Sequence, residues 1–454
     1  MSLILNPLWL IVLPLVMAPV VYLVRRQGRL AGLLAGATTL AAARLALSMP
    51  FDWSLRVMGR ELTLSPGDRM FLAFTFILVT LLFVYAWSLT QGWSFFPIIL
   101  LILSLFAAST MVDNTIIAIL VLEMAATLMV LVIQAGRHGS IKAGLHYLVT
   151  MVLAIPPLLV AAHLSEMRML NPDDLTLPRV TAFLLALGFA LILGMAPFQS
   201  WLFVVSAEAP TMVSAFLLTV GSGVVVFKLL ETVNRFPWLI ADGDILRLTF
   251  AIGLGSVLLG GGLAAFQRDF GRLLAWAALA DMGFMWVALA PGTPEGLAVS
   301  MLLLVNRWIS VTLVGMGMGI LRRDRETDRF EAMTGIVWRK PFAVLALAVG
   351  GLSLAGFPLT AGFTVRWLAY QGLPEPAHHW MLWLILAGAA VGLGYLRGLA
   401  HTVGAPVGKS TEEEPLSVRV CILTLVAVSV WLALYPQVAL GPFSQVMAAL
   451  VPGS

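Results

Sequence analysis

The stretch "FALILGMAPFQSWLF" (189–203) is apolar and uncharged, yet Gly194 and Pro197 interrupt it. Apolar runs of this kind belong to membrane-spanning helices, which need about 20 mostly apolar residues. An interruption inside such a helix leaves backbone N–H and C=O groups without partners, and they are tolerated only where protein or trapped water satisfies them. A broken span therefore often marks a working site, and a charged residue is expected beside it. This stretch contains none.

The composition of the whole chain requires a membrane environment. Of its 454 residues, 60% are hydrophobic and only 11% are charged, and the mean hydropathy is +0.97. Soluble domains carry about 25% charged residues. Apolar windows of membrane length recur about fourteen times, and the alternating pattern of an outer-membrane barrel is absent. The sequence predicts an all-α polytopic membrane protein with about fourteen transmembrane helices.

A second broken span suggests internal symmetry. "LGMAPFQSW" (193–201) and "LAGFPLTAGFTVRW" (354–367), which contains Pro358, are about 160 residues apart. Gly/Pro-interrupted spans in corresponding positions of two halves indicate inverted repeats, although a simple proline kink is the alternative for either break. We expect two inverted five-helix repeats, each containing a broken helix. The expected segments are N-terminal helices in 1–93, repeats in 94–232 and 246–400, and a C-terminal loop and last helix in 401–454.

The distribution of Lys and Arg predicts the orientation. These residues concentrate in the loops that follow the odd-numbered spans, for example Arg25, Arg26 and the charged segment "RRDRETDRFEAM" (322–333). By the positive-inside rule those loops are cytoplasmic. Both termini then lie on the non-cytoplasmic side of a bacterial-type cytoplasmic (inner) membrane. The basic balance is explained by this orientation, so we expect the lipid bilayer and other membrane subunits as partners and no nucleic acid.

Few charged residues lie within the predicted spans. Each costs about 2.5–3.5 kcal/mol at mid-bilayer and usually faces the bundle interior. Glu123 has no cation within a turn, so it is either a proton-binding carboxyl or a neutral acid held by a neighbouring helix. Asp281 and Arg307 lie near the centres of consecutive spans, which predicts a buried pair of structural or functional importance. Arg366 follows the second break, where we expect a functional role.

Two further titratable residues lie near span ends. Lys228 precedes Glu231 by three residues, which puts both on one helix face, and we expect its ammonium to extend to the membrane interface. His146 could transfer protons near neutral pH or make an interfacial hydrogen bond. The single Cys421 excludes a disulfide framework. No metal-ligand, nucleotide-binding or nucleophile–base motif is found, so we predict no metal, no cofactor and no separate active site.

Four segments carry a resemblance to a known family. They are "VLEMAATLMVL" (121–131), "LGMAPFQSWLFVVSAEAPTMVSAFLL" (193–218), "QRDFGRLLAWAALADMGFM" (267–285) and "GFPLTAGFTVRW" (356–367). In this order they resemble the antiporter-like subunits of respiratory complex I and of Mrp-type cation/proton antiporters, the N- and M-type subunits most of all. The resemblance covers about residues 100–400.

The resemblance implies a proton relay that this chain has altered. In the family a Glu–Lys pair and further lysines relay protons along a hydrated axis, and Glu123 matches the glutamate. The family lysines of the seventh, eighth and twelfth helices fall on Ile192, Ser222 and Arg366, the family histidine falls on Asp281, and a lysine early in the sixth helix falls on His146. Isoleucine binds no proton, and arginine is not deprotonated in proteins. The first relay is therefore either disabled or rebuilt around Glu123, His146 and water, whereas the second has become an Arg/Asp set.

Two functions remain open at this point. The first is a membrane subunit of a complex I-like or Mrp-like assembly, such as an NADH:quinone oxidoreductase, that takes part in proton or cation translocation coupled to redox or ion gradients. The second is a non-conducting structural or coupling subunit with the antiporter fold. Glu123 and both retained breaks favour the first, and the replaced lysines favour the second.

Overall fold

The computed structural model describes residues 6–49, 53–57, 60–89, 91–135, 140–170, 176–241, 244–404 and 413–437. Within these ranges, ten helices are long and apolar enough to cross a membrane, and four shorter helices are also apolar. The protein is therefore a polytopic helical membrane protein, as the composition predicts. Residues 405–412 and 438–454 of the expected segment 401–454 lie outside the described residues.

The helices pack into two compact units. The first unit comprises residues up to Ile192 together with Val220–Ile245. Its elements, in chain order up to the first break, are α1 Trp9–Leu23, α2 Gly28–Ser48, β1 Trp53–Val57, β2 Arg60–Leu64, α3 Pro66–Ser88, α4 Phe95–Met111, α5 Thr115–Ile133, α6 Ile141–Leu170 and α7 Leu177–Leu193.

The second unit comprises Leu193–Thr219 and most of the chain after Leu246. After the first break the elements are α8 Ser200–Glu208, α9 Thr211–Phe216, a π-helical turn at Leu217–Gly221, α10 Ser222–Arg235, α11 Trp238–Ala241, α12 Asp244–Ala264, α13 Phe270–Leu289, α14 Pro294–Arg325, α15 Pro341–Ala355, α16 Ala361–Gln371, α17 Met381–Thr402 and α18 Leu416–Leu434. Of these, α10 and α11 belong to the first unit.

A β-hairpin joins α2 to α3, which the sequence analysis did not predict. Its two strands pair antiparallel, with Trp53 opposite Leu64. Leu62 forms a β-bridge with Val112, and the Asp113 N–H donates to the Glu61 carbonyl at 3.3 Å. The hairpin therefore lies against the C-terminal end of α4.

Local capping explains where several helices begin. Asn114, Asp269 and Thr293 accept backbone N–H groups in the first turns of α5, α13 and α14, at 3.0, 2.8 and 3.1 Å. Ser65 and Asp68 form a reciprocal capping box at the start of α3. Side-chain oxygens at these positions satisfy donors that a helix leaves free at its N-terminus. These starts are thus encoded locally.

Burial separates the helices into two kinds. α5 and α18 expose apolar side chains such as Leu131 and Val420, as expected of surfaces that face lipid. α13 and α14 are buried along most of their length. These two helices carry Asp281 and Arg307, so both charges lie inside the second unit.

Candidate functional site

The first interruption is held by polar and aromatic side chains. α7 ends at Leu193 and α8 begins at Ser200, with Gly194 and Pro197 between them. The Ala196 N–H donates to the Ser256 hydroxyl of α12 at 3.0 Å, so a donor freed by the break is satisfied by a neighbouring helix, as lipid surroundings require. Ile192, the residue at the family's lysine position, lies half-buried in the last turn of α7 and carries no charge.

An arginine occupies the far end of α8. The Arg322 guanidinium donates to the carbonyls of Ser206, Ala207 and Ala209 at 3.0–3.1 Å. It also pairs with Asp328 at 2.7 Å, whose same oxygen accepts the Gly271 N–H at 2.9 Å. A positive charge at a helix C-terminus is favourable because carbonyl groups there lack partners. In the sequence, residues 322–333 are recognisable only as a charged loop, and nothing there predicts this clamp.

Replacing Arg322 with methionine should lower the free energy of unfolding by about 3–5 kcal/mol, because it leaves a largely buried Asp328 carboxylate without its partner. Unfolding of the purified protein in detergent, followed with increasing denaturant, measures this. Arg329→Met removes an exposed arginine from the same loop and should change stability by no more than about 0.5 kcal/mol. Equal losses in the two variants would contradict the clamp.

The second interruption carries its own guanidinium. α15 ends at Ala355, α16 begins at Ala361, and Pro358 lies between them. The buried Arg366 side chain extends from α16 back to the end of α15, donating to the Ala355 carbonyl at 2.8 Å and also to the Leu354 carbonyl. Its guanidinium lies 4.0 Å from the centre of the Phe284 ring, a cation–π distance. Arg366 therefore caps the half-helix that the break creates.

Gly356 makes room for this cap. Its φ is +75°, a conformation that only glycine adopts without strain. A Cβ atom at this position would lie 2.5 Å from Arg366 Cδ. The glycine is thus required both by the backbone turn and by the arginine that packs on it.

Asp281 and Arg307 form the buried pair that their spacing predicted. Arg307 Nη1 lies 3.2 Å from Asp281 Oδ2, and both side chains are at most 2% exposed. Arg307 also donates to the Ala278 carbonyl at 2.7 Å and to the Leu218 carbonyl at 2.8 Å. Leu218 belongs to the π-helical turn, where the backbone pattern changes and carbonyls need other donors. The neighbouring Trp308 donates to the Thr219 carbonyl at 2.9 Å.

Two polar atoms of these charged side chains have no hydrogen-bond partner within the described ranges. They are Asp281 Oδ1 and Arg366 Nε, both buried. Asp281 interacts electrostatically with Arg366 as well as with Arg307, so one carboxyl serves two guanidiniums. Because arginine keeps its proton in proteins, Asp281 is the member of this group that can exchange one.

A hydroxyl and amide network joins the helices at the second break. Ser310 donates to the Ser353 hydroxyl at 2.8 Å, and Ser353 donates to Asn306 Oδ1 at 2.8 Å. The Gly362 N–H of α16 donates to the same Ser353 oxygen at 3.2 Å. The network ties α14 to both halves of the interrupted helix. The only signal in the sequence was the position of Ser353 just before the break, and it was missed.

In the first unit Glu123 interacts electrostatically with a tyrosine. It is half-buried on α5, and its Oε1 has no hydrogen-bond partner in the part of the chain described. The buried Tyr147 of α6 interacts with it electrostatically. His146 is exposed, and its Nδ1 lies 3.0 Å from the Lys142 carbonyl of its own helix. The structure therefore brings Tyr147, rather than His146, to Glu123.

The expectation that Lys228 extends to the interface is wrong. Its side chain is 3% exposed, and Nζ lies 2.9 Å from Glu231 Oε2. Nζ also donates to the Ser109 carbonyl at 3.1 Å, in the last turn of α4. The ammonium stays inside because a carboxylate and a helix C-terminal carbonyl both offer it partners there. Ser222, at the start of α10, is half-buried.

Two helices of this protein are interrupted, and guanidinium groups and a carboxyl group are buried beside them. These features define a class of helical membrane proteins with charged side chains next to interrupted spans. The chain belongs to the NADH:quinone oxidoreductase/Mrp antiporter transmembrane family, whose model matches residues 112–392. The resemblance read from the four sequence segments is thereby confirmed.

Sequence comparison matches bacterial subunits of NADH-quinone oxidoreductase. NADH-quinone oxidoreductase subunit N of Ectopseudomonas mendocina is 32% identical over 217 residues, which is 47% of this chain and 43% of that protein. Subunit N of Chromohalobacter salexigens is 27% identical over 324 residues, 66% of this chain and 67% of that protein. Apart from the second match, the chain spans about half the length of the curated relatives.

Three solved structures share the fold over almost the entire chain. A chain of respiratory complex I from Thermus thermophilus with bound NADH has a TM-score of 0.83 at 20% identity, covering 99% of this chain and 100% of that one. A chain of the membrane-bound sulfane sulfur reductase, an archaeal respiratory membrane complex, has a TM-score of 0.86 at 20% identity, and the match covers 98% of this chain and 97% of that one. A chain of the Mrp complex from Dietzia sp. DQ12-45-1b has a TM-score of 0.85 at 16% identity, and the match covers 100% of this chain and 98% of that one. At these identities the likeness concerns the fold alone.

Proposed function

We propose that this protein is a membrane subunit of a complex I-like or Mrp-like multisubunit assembly and takes part in proton or cation translocation. One observation carries the proposal: each unit holds, within an apolar span, a carboxyl with a buried oxygen that lacks a hydrogen-bond partner among the described residues, Glu123 Oε1 and Asp281 Oδ1. Leaving such an oxygen unsatisfied costs about 1–3 kcal/mol. A carboxyl kept in that setting suits a group that takes up and releases a proton.

The architecture we propose has fourteen spans and two inverted five-helix repeats in 94–232 and 246–400. Support comes from the ten long and four shorter apolar helices of the described ranges, and from the interruptions that follow α7 and α15. The three N-terminal helices in 1–93 and the last helix in 401–454 flank the repeats. We further propose a bacterial inner-membrane location, with both termini on the non-cytoplasmic side and other membrane subunits as partners.

The experiment compares proton transport by the assembly purified with this chain, reconstituted into vesicles, in native and Glu123→Gln forms. We expect fewer protons transported per catalytic turnover in the variant, because glutamine keeps the size of the side chain but binds no proton. Glu166→Gln makes the same change at an exposed position of α6 and should leave the ratio unchanged. Transport that is the same in all three forms would exclude Glu123 from the path.

A second candidate is a non-conducting structural or coupling subunit, and one observation favours it. The cation at the twelfth-helix lysine position, Arg366, is engaged by two backbone carbonyls and does not release its proton. The other two lysine positions hold Ile192 and Ser222. This candidate requires that neither Glu123→Gln nor Asp281→Asn alters proton transport by an assembly that still turns over.

A further inference from the structure

A second group of titratable side chains lies in the first unit, away from Glu123. Lys228 and Glu231 occupy one face of α10 and are in direct contact at 2.9 Å. Asp68, at the start of α3, is 6% exposed and interacts electrostatically with both of them. The stacked rings of Phe71 and Phe227, with centroids 4.3 Å apart, hold the two helices together at this level. We refer to Asp68, Lys228 and Glu231 as the carboxyl–lysine triad.

The triad has one more acid than base. Two further charged side chains, Arg235 of α10 and Asp113 after α4, act on Glu231 but pair with each other at 2.9 Å. Fully ionised, the triad therefore has one uncompensated negative charge. A buried charge without a partner is strongly disfavoured, whereas one bound proton makes the triad neutral. The charge count thus favours a proton held by one of the two carboxyls.

The exposure of these side chains falls stepwise from the surface inward. Asp113 and Arg235 are 49% and 36% exposed, Glu231 is 27% exposed, and Lys228 is 3% exposed. Glu231 is thus partly exposed on one side and in contact with a buried ammonium on the other. A proton that arrives at the surface meets Glu231 first, and Asp68 lies behind it.

Resting on the proposed function, we infer that the carboxyl–lysine triad is a proton-exchange site of the first unit, with Glu231 as the solvent-facing carboxyl. In the exchange, a Glu231 oxygen bonds to a proton from hydronium, which leaves as water. Lys228 keeps all three of its protons. Its ammonium loses the ionised Glu231 as its partner and is then compensated by the ionised Asp68. Release reverses these steps.

The test uses the purified native assembly and its Glu231→Gln and Asp68→Asn variants. Both amides keep an oxygen that can accept the hydrogen bonds from Lys228 and from the Ser65 N–H, yet neither binds the proton. The first measurement is the infrared carbonyl band of protonated carboxylic acids, followed while pH is raised. We expect a titrating component in the native assembly that is absent from both variants and retained in Asp113→Asn, which changes the exposed neighbouring acid.

The second measurement is proton transport in vesicles, alongside Glu123→Gln. We expect transport to fall in Glu231→Gln and to recover in Glu231→Asp, which restores a carboxyl. A titrating band unchanged in Glu231→Gln and Asp68→Asn would overturn the site. Normal transport in both of them together with impaired transport in Glu123→Gln would also overturn it, while leaving the proposed function intact. A third outcome is that the assembly transports no protons, yet the titrating band disappears in Glu231→Gln and Asp68→Asn. That outcome would support the site as a proton-binding group and refute the proposed function.

Discussion

Replacing Arg307 with methionine should lower the free energy of unfolding by about 3–5 kcal/mol, because removing one partner of a buried pair strands the other charge. Asp281 would keep only the longer-range interaction with Arg366. The carbonyls of Ala278 and Leu218 would also lose their side-chain donor. Denaturant unfolding in mixed micelles measures the change.

The double variant Asp281→Asn/Arg307→Met separates the charge from the carbonyl contacts. The double variant removes both members of the pair, so it should be distinctly more stable than Arg307→Met alone. The stability still lost relative to the native protein then measures the missing hydrogen bonds to the Ala278 and Leu218 carbonyls. A mutant cycle built from the two single variants gives the coupling directly. The control is Arg247→Met, which removes an exposed arginine of α12 and should change stability by no more than about 0.5 kcal/mol. If Arg307→Met were tolerated as well as the control, the pair would have no structural role.

The second large effect is expected at Gly362. A Cβ atom there would lie 1.8 Å from the Ser353 carbonyl oxygen, far inside contact distance. Because that oxygen is backbone in the last turn before the break, no side-chain rotation relieves the clash. Gly362→Ala should therefore cost about 3 kcal/mol or more, at the upper end of overpacking effects, and it should disturb the hydrogen bond that the Gly362 N–H donates to the Ser353 hydroxyl.

The matched control for this substitution is Gly255→Ala in α12. A Cβ atom there meets nothing within 4 Å, and alanine favours a helix over glycine by about 1 kcal/mol. That variant should be neutral or slightly more stable, whereas Gly362→Ala should unfold at a distinctly lower temperature in the same detergent. Similar unfolding temperatures would show that α15 and α16 separate easily, and that the close approach at Gly362 is not needed.

Four of the buried cations among the described residues share one arrangement. Arg366, Arg322 and Lys228 each donate to carbonyls at the C-terminal end of a helix, namely α15, α8 and α4. Arg307 does the same for the π-helical turn. Carbonyls at the C-terminal ends of these helices thus receive positive charge from other parts of the chain. Guanidinium suits this because it offers five donors in a rigid plane.

Several features of the protein were predictable from the sequence because their causes are local. A composition too apolar for water implies membrane spans, Gly194 and Pro197 imply an interrupted helix, and Asp281 and Arg307 at similar depth in consecutive spans imply a pair. The four matched segments identified the family. Each of these inferences depends on residue type, spacing or resemblance, and none requires knowing which helices are neighbours.

Other features could not be predicted because they join residues far apart in the chain. Nothing near Lys228 in the sequence reveals the Ser109 carbonyl that keeps its ammonium inside, and nothing near Asp68 reveals Lys228 and Glu231. The clamp of Arg322 on α8 and the Ser353 network at the second break have the same origin. A hydrogen-bond acceptor offered by backbone carries no mark in the sequence, since every residue has a carbonyl.

The sequence by itself determined the membrane solvent, the run of spans and the places where helices stop, because hydropathy and backbone stereochemistry act over a few residues. Only the tertiary structure decided what Arg366 and Lys228 do. In a low-dielectric interior, the ionisation and the partners of a charged side chain depend on the groups within a few ångströms of it. Only tertiary packing brings those groups together. Thus Arg366 became a helix cap, and Lys228 became a buried partner of Glu231 and of the Ser109 carbonyl.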